Sequence, residues 1–171
     1  MGVTVWDSKE IQAAILALKV VNADLRKEII GRSRDKILGE WDSAIAENIS
    51  SYGGDIYATR LIMRNTRVKV GTQGFSLQAA TRQTPQTSGG LVPGNDYYLA
   101  ELGADPKVVP VEGRRGNTHY KYKRTVNTGF RPRQKRGRYA YQAAGRLMNR
   151  FIAMYVQTSI QMVYEAFEGK K

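Results

Sequence analysis

Apolar residues recur every three or four positions near both ends of this chain and every second position in between. No other feature constrains the fold as much. Side chains three and four apart share a helix face, whereas alternate side chains share a sheet face. Ile11, Ile15 and Leu18, with Ala14 between them, make one helical stripe. Leu25, Ile29, Ile37, Trp41, Ile45 and Ile49 make a second, running almost to Ser50. Its far side carries Arg26, Lys27, Arg34, Asp35, Glu40 and Glu47, the mixed charges of a solvated face. Asp7 with Glu10 forms a capping-box-like start to the first helix, and Asn22 reads as the cap of the second. Gly31 and Gly39 each weaken the second helix by about 1 kcal/mol relative to Ala. They leave room for a bend or for another backbone to come close.

Tyr52-Gly53-Gly54-Asp55 closes the helical half, and a short helix is expected over 55–63. The period then changes. Val68 and Val70 alternate with Arg67 and Lys69, and after Gly71-Thr72-Gln73-Gly74 the residues Phe75, Leu77 and Ala79 alternate with Ser76 and Gln78. This is a hairpin pattern. A polar, Gly- and Pro-containing loop covers 81–95, and Asn95 or Asp96 caps a short helical segment that Gly103 ends. Lys107–Val111 and Thr118–Val126 form a second extended pair around Arg114-Arg115-Gly116-Asn117. A basic linker spans 127–137, and a long apolar helix runs from Tyr139 to Glu168. The predicted fold is α+β: two N-terminal helices, a small antiparallel sheet with hairpins, and a long C-terminal helix. The whole of 1–171 is expected to be one domain, with a basic arm or insertion at 107–138.

The charge is segregated. Residues 113–150 contain twelve Lys and Arg and no Asp or Glu, while the remaining fifteen basic and fifteen acidic residues cancel. The formal net charge of +12 therefore belongs to one segment. Arg114, Arg115, Lys121, Lys123, Arg124, Arg131, Arg133, Lys135, Arg136 and Arg138 are the candidates for contact with DNA or an acidic partner. Tyr120, Tyr122 and Phe130 are interleaved among them, a composition that suits base stacking as well as phosphate neutralisation. An acidic protein neighbour satisfies the same cations. No helix-turn-helix, zinc-finger or ribonucleoprotein signature accompanies them. In the last helix, Leu147, Phe151, Met154, Tyr155 and Met162 are the candidates for core and oligomer packing.

Other chemistry finds little support. With no cysteine and one histidine, His119, neither disulfides nor a Cys/His metal site can form. Asp96, Glu101 and Asp105 lack metal-loop spacing and read as solvated or capping acids. Gly89-Gly90-Leu91-Val92-Pro93-Gly94 and Gly71-x-x-Gly74 lack the Lys-Ser/Thr ending of a phosphate loop. No catalytic residue, cofactor or metal is expected. The 11–21 segment, broken by Gln12 and Lys19, is too short to span a membrane, and the first ten residues do not resemble a secretion signal. A soluble protein made inside the cell is expected.

The order of the elements resembles the tail-completion and head–tail joining proteins of long-tailed bacteriophages. Tyr97-Tyr98-Leu99-Ala100-Glu101-Leu102-Gly103 is similar to the family's tyrosine–alanine–glutamate–glycine element. Phe130-Arg131-Pro132 followed by Tyr141-Gln142-Ala143-Ala144 approximates its entry to the last helix. The chain departs from the family in one motif: the usual threonine-glycine-x-leucine before the first strand is not evident, with only Ala58-Thr59-Arg60-Leu61 nearby. The resemblance implies a structural, non-enzymatic virion subunit without a cofactor. It implies a homo-oligomeric ring, sixfold, between the portal and the tail tube, where it completes the tail and joins it to the head. Neighbouring neck and tail-tube proteins, and packaged DNA, would be its partners. From the residues alone a stand-alone basic nucleic-acid-binding protein using the 114–138 arm remains the alternative.

Overall fold

The computed structural model describes residues 2–5, 9–21, 23–85 and 90–169. The expected caps Asp7 and Asn22, the side chain of Glu10, and Gly89 lie outside the described residues. The fold is α+β. Strand β1 (Gly2–Val5) precedes helices α1 (Lys9–Val20) and α2 (Ala23–Ser51), then the short α3 (Ile56–Leu61) and a 3₁₀ turn at Met63–Asn65. Strands β2 (Arg67–Gly71) and β3 (Gly74–Gln78) form the first hairpin, and α4 (Pro93–Glu101) follows the polar loop. Strands β4 (Lys107–Arg115) and β5 (Thr118–Val126) form the second hairpin, and α5 (Ala140–Phe167) ends the fold.

One core joins the helices to the first sheet. Ile11, Ala14 and Leu18 of α1 and Ile29, Ile37, Trp41, Ile45 and Ile49 of α2 are buried, as their spacing requires. They pack with Val68, Phe75 and Leu77 of the first hairpin and with Ala143, Phe151, Tyr155 and Met162 of α5. Full burial of a side chain such as Phe151 contributes about 3 kcal/mol. Phe75 meets Phe151 edge to face, with ring centroids 6.3 Å apart. Two large side chains on these elements pair their polar atoms with the backbone. The Trp41 indole N–H donates to Gln78 O (3.2 Å), and the Tyr155 hydroxyl donates to Gly71 O (3.0 Å). Burial pushes the Tyr155 hydroxyl up to about 12, which keeps it protonated as a donor.

Several expectations are corrected. The first sheet has three strands in the order β1-β3-β2, because β1 pairs antiparallel with β3 (Val3 opposite Leu77, Val5 opposite Phe75). Four residues are too few to show a period, so the sequence does not announce this strand. Helix α4 begins at Pro93, before Asn95, with proline in its first turn where a missing N–H costs nothing. Asp96 instead reaches back to accept from Val92 N–H (2.6 Å). No other backbone approaches Gly31 or Gly39, as a Cβ at either would meet nothing within 4 Å. Arg26, expected in solvent, donates to Leu18 O (3.0 Å) and Val21 O (3.1 Å), where it satisfies carbonyls at the end of α1.

Candidate binding surface

The second hairpin carries five of the twelve cations of the acid-free stretch, Arg114, Arg115, Lys121, Lys123 and Arg124. Gly116 (φ +60°) takes the first position of its two-residue turn and Asn117 the second, a turn whose twist matches that of the strands. That turn sets the register: Arg115 lies opposite Thr118, Gly113 opposite Tyr120, Val111 opposite Tyr122 and Val109 opposite Arg124. The strands run to Lys107 and Val126, so each is about 30 Å long. The two extended segments were expected; the extension of β4 past Val111 to Arg115 was not.

Register assigns the side chains to two faces. Val109, Val111, Gly113, Tyr120, Tyr122, Lys107, Arg115 and Arg124 share one. Glu112, Arg114, His119, Lys121 and Lys123 share the other, where Lys121 and Glu112 form an exposed ion pair (3.1 Å). Such a pair adds little stability. Tyr120 and Tyr122 remain 48% and 42% exposed although their rings lie 5.7 Å apart, tilted by 30°. Among the described residues no helix and no strand of the first sheet packs substantially on this hairpin. A lone two-stranded ribbon is only marginally stable in water, and cross-strand contacts between side chains must supply what holds it.

The linker after β5 behaves differently from the expected continuous arm. Arg133, Lys135 and Arg136 are exposed. Arg131 instead sits 3.7 Å from Asp55, donates to Tyr52 O and lies over the Tyr52 ring. Arg138 is 5% exposed and donates to Pro132 O. These two cations turn inward and leave the set of candidate contacts. Phe130, expected among the stacking aromatics, packs on the Tyr57 ring with centroids 4.6 Å apart. Arg146 and Arg150, also in the acid-free stretch, pair with Glu47 and Glu40 of α2 (both 2.8 Å).

The three carboxylates considered for chemistry do not meet. Asp96 accepts from Val92 N–H at the start of α4, and Asp105 accepts from Arg133 N–H (3.2 Å). Glu101 is fully buried, not solvated. It accepts the N–H groups of Tyr139 (3.1 Å), Ala140 (3.0 Å) and Tyr141 (2.9 Å), and so caps α5 from a distant part of the chain. Tyr139 supplies no cap of its own. Its hydroxyl donates to Asp55 (2.8 Å), and burial, then that carboxylate, raise its pKa. The Tyr97–Gly103 element is thus a structural corner. Gly103 (φ +78°) lets Arg131 and Pro132 pass so close that a Cβ would lie 2.5 Å from both carbonyl oxygens.

A second surface lies at the end of α5. Of the packing candidates, Phe151, Tyr155 and Met162 are buried in the core, and Leu147 and Met154 are half-buried against it. Ile160, Tyr164 and Phe167, at spacings of four and three, are exposed on the other side, Phe167 by 76%. Among the described residues no group of three or more His, Asp or Glu comes together, and no helix is long and apolar enough to cross a membrane. No family model, no curated protein and no solved structure matches the chain.

Proposed function

We propose that the protein is a structural subunit of a bacteriophage neck or tail, which forms a homo-oligomeric ring that completes the tail and joins it to the head. One observation carries the reading: a cationic hairpin stands clear of the body, and outside residues 113–150 the charges of the chain cancel. A ribbon of this kind gains stability when it docks on a negative surface, in this reading an acidic neck protein or packaged DNA. The exposed Ile160–Tyr164–Phe167 stripe supports it as a surface for a neighbouring copy, and the sequence resemblance of Tyr97–Gly103 to the neck-protein element supports it as well. The ring needs no cofactor and catalyses nothing. Its place is the virion.

Native mass spectrometry across a salt series tests this. The expected outcome is a closed oligomer, a hexamer, that becomes more populated as salt screens the repulsion between +12 subunits. Charge reversal at Lys121, Lys123 and Arg124 should then block joining of heads to tails in a complementation assay. A protein that stays monomeric at all salts, and whose reversed variant still complements, removes the proposal. A second reading, a stand-alone nucleic-acid-binding protein, is favoured by the exposed Tyr120–Tyr122 ring pair. It predicts a functional monomer.

A further inference from the structure

We infer that the tyrosine face of the β4–β5 hairpin is a stacking platform for unpaired nucleotides. This goes beyond the ring proposal and does not depend on it. Tyr120 and Tyr122, two apart on one strand, point to the same side and hold their rings next to each other. Gly113 opposite Tyr120 fixes how that ring lies. A Cβ at 113 would fall 2.5 Å from the ring's Cζ, so the ring rests across bare backbone with its body half in solvent. Glycine inside a strand weakens it, and here the absent side chain makes space for an aromatic ring to lie flat. Arg124 follows Tyr122 along β5, and Arg115 lies on β4 at the opposite end of the pair. The hairpin's one carboxylate, Glu112, is on the other face and is already engaged by Lys121.

The face therefore combines two ring surfaces with flanking cations and no negative charge. A single strand offers both phosphates and free base faces. Duplex DNA hides its base faces, and an acidic peptide supplies charge without flat rings. Stacking tolerates any base, so the platform is expected to bind without sequence preference.

The test uses the full chain and fluorescence anisotropy with an oligothymidylate of about 16 nucleotides, its duplex counterpart and polyglutamate. The single strand should bind most tightly. Tyr120→Ala with Tyr122→Ala should weaken it by about tenfold or more, with the salt slope retained. Lys121→Ala with Lys123→Ala, on the other face, should keep the preference for single strands. Should the tyrosine variant disorder the ribbon, photocrosslinking of the unaltered protein to a 5-iodouracil oligonucleotide still decides, with the adduct expected on Tyr120 or Tyr122. Equal or tighter binding of duplex or polyglutamate, unchanged affinity in a folded tyrosine variant, or adducts elsewhere would each overturn the inference. Preference for polyglutamate would point to an acidic protein partner instead.

Discussion

Glu101 shows how much one buried side chain can organise. Its two oxygens take three backbone N–H groups that α5 would otherwise leave without partners inside the protein. Burial raises its carboxyl above the ordinary value of 4.5, and the three N–H groups and Arg138 pull the other way without cancelling the rise. The folded state therefore holds this proton more tightly than the unfolded chain does. Its contribution to stability is fullest below pH 4.5 and falls as pH rises through the higher folded value. Glu101→Gln should remove that slope. It should also cost about 1–3 kcal/mol, because one amide oxygen cannot serve three donors. Urea unfolding across a pH series measures both effects, and a variant as stable as the parent would contradict the capping role.

At the scale of elements, the linker between β5 and α5 is stitched to the end of α4. Ala104 N–H donates to Arg131 O (2.9 Å), Gln134 N–H to Leu102 O (2.8 Å) and Arg138 N–H to Glu101 O (3.1 Å). Gly103 is the residue this packing cannot replace, since its neighbours are backbone oxygens that do not swing aside. Gly103→Ala should destabilise by at least about 1 kcal/mol, lowering the melting temperature by about 2–4 °C for each kcal/mol. Gly31→Ala, inside α2 with open space around it, should instead stabilise by about 1 kcal/mol. Thermal melts of the pair compare a glycine that geometry demands with one that it does not. Equal effects would mean the corner is softer than its contacts imply.

For the whole molecule, body and ribbon are nearly independent. The core is built from α1, α2, α3, α4, the first sheet and α5, and the second hairpin adds nothing to it. Replacing 108–125 by a short Gly-Ser turn should leave the body's melting midpoint unchanged while abolishing attachment to a negative partner. A large drop in the midpoint would show that the ribbon folds back on the body. The same independence explains why the charge does not unfold the chain: much of it lies on an arm and an exposed linker, away from the core. Arg146 and Arg150 are balanced against α2, and Arg131 and Arg138 lie inside the corner.

The sequence by itself determined the α+β class, both long helices, both hairpins and the stretch that holds the excess charge. These follow from period and composition, which local chain geometry turns directly into faces. The stacking face was partly legible too, because a turn at Gly116-Asn117 dictates that Gly113 meets Tyr120. Tertiary structure alone decided the rest. Composition treats Arg124 and Arg138 alike, yet one lies on a free ribbon and the other is buried beside a carboxylate from α4. The β1–β3 pairing, the Glu101 cap and the inward turn of Arg131 depend on residues tens of positions apart meeting in space. A cation's role is set by what is packed around it, and that packing appears only when the chain has closed on itself.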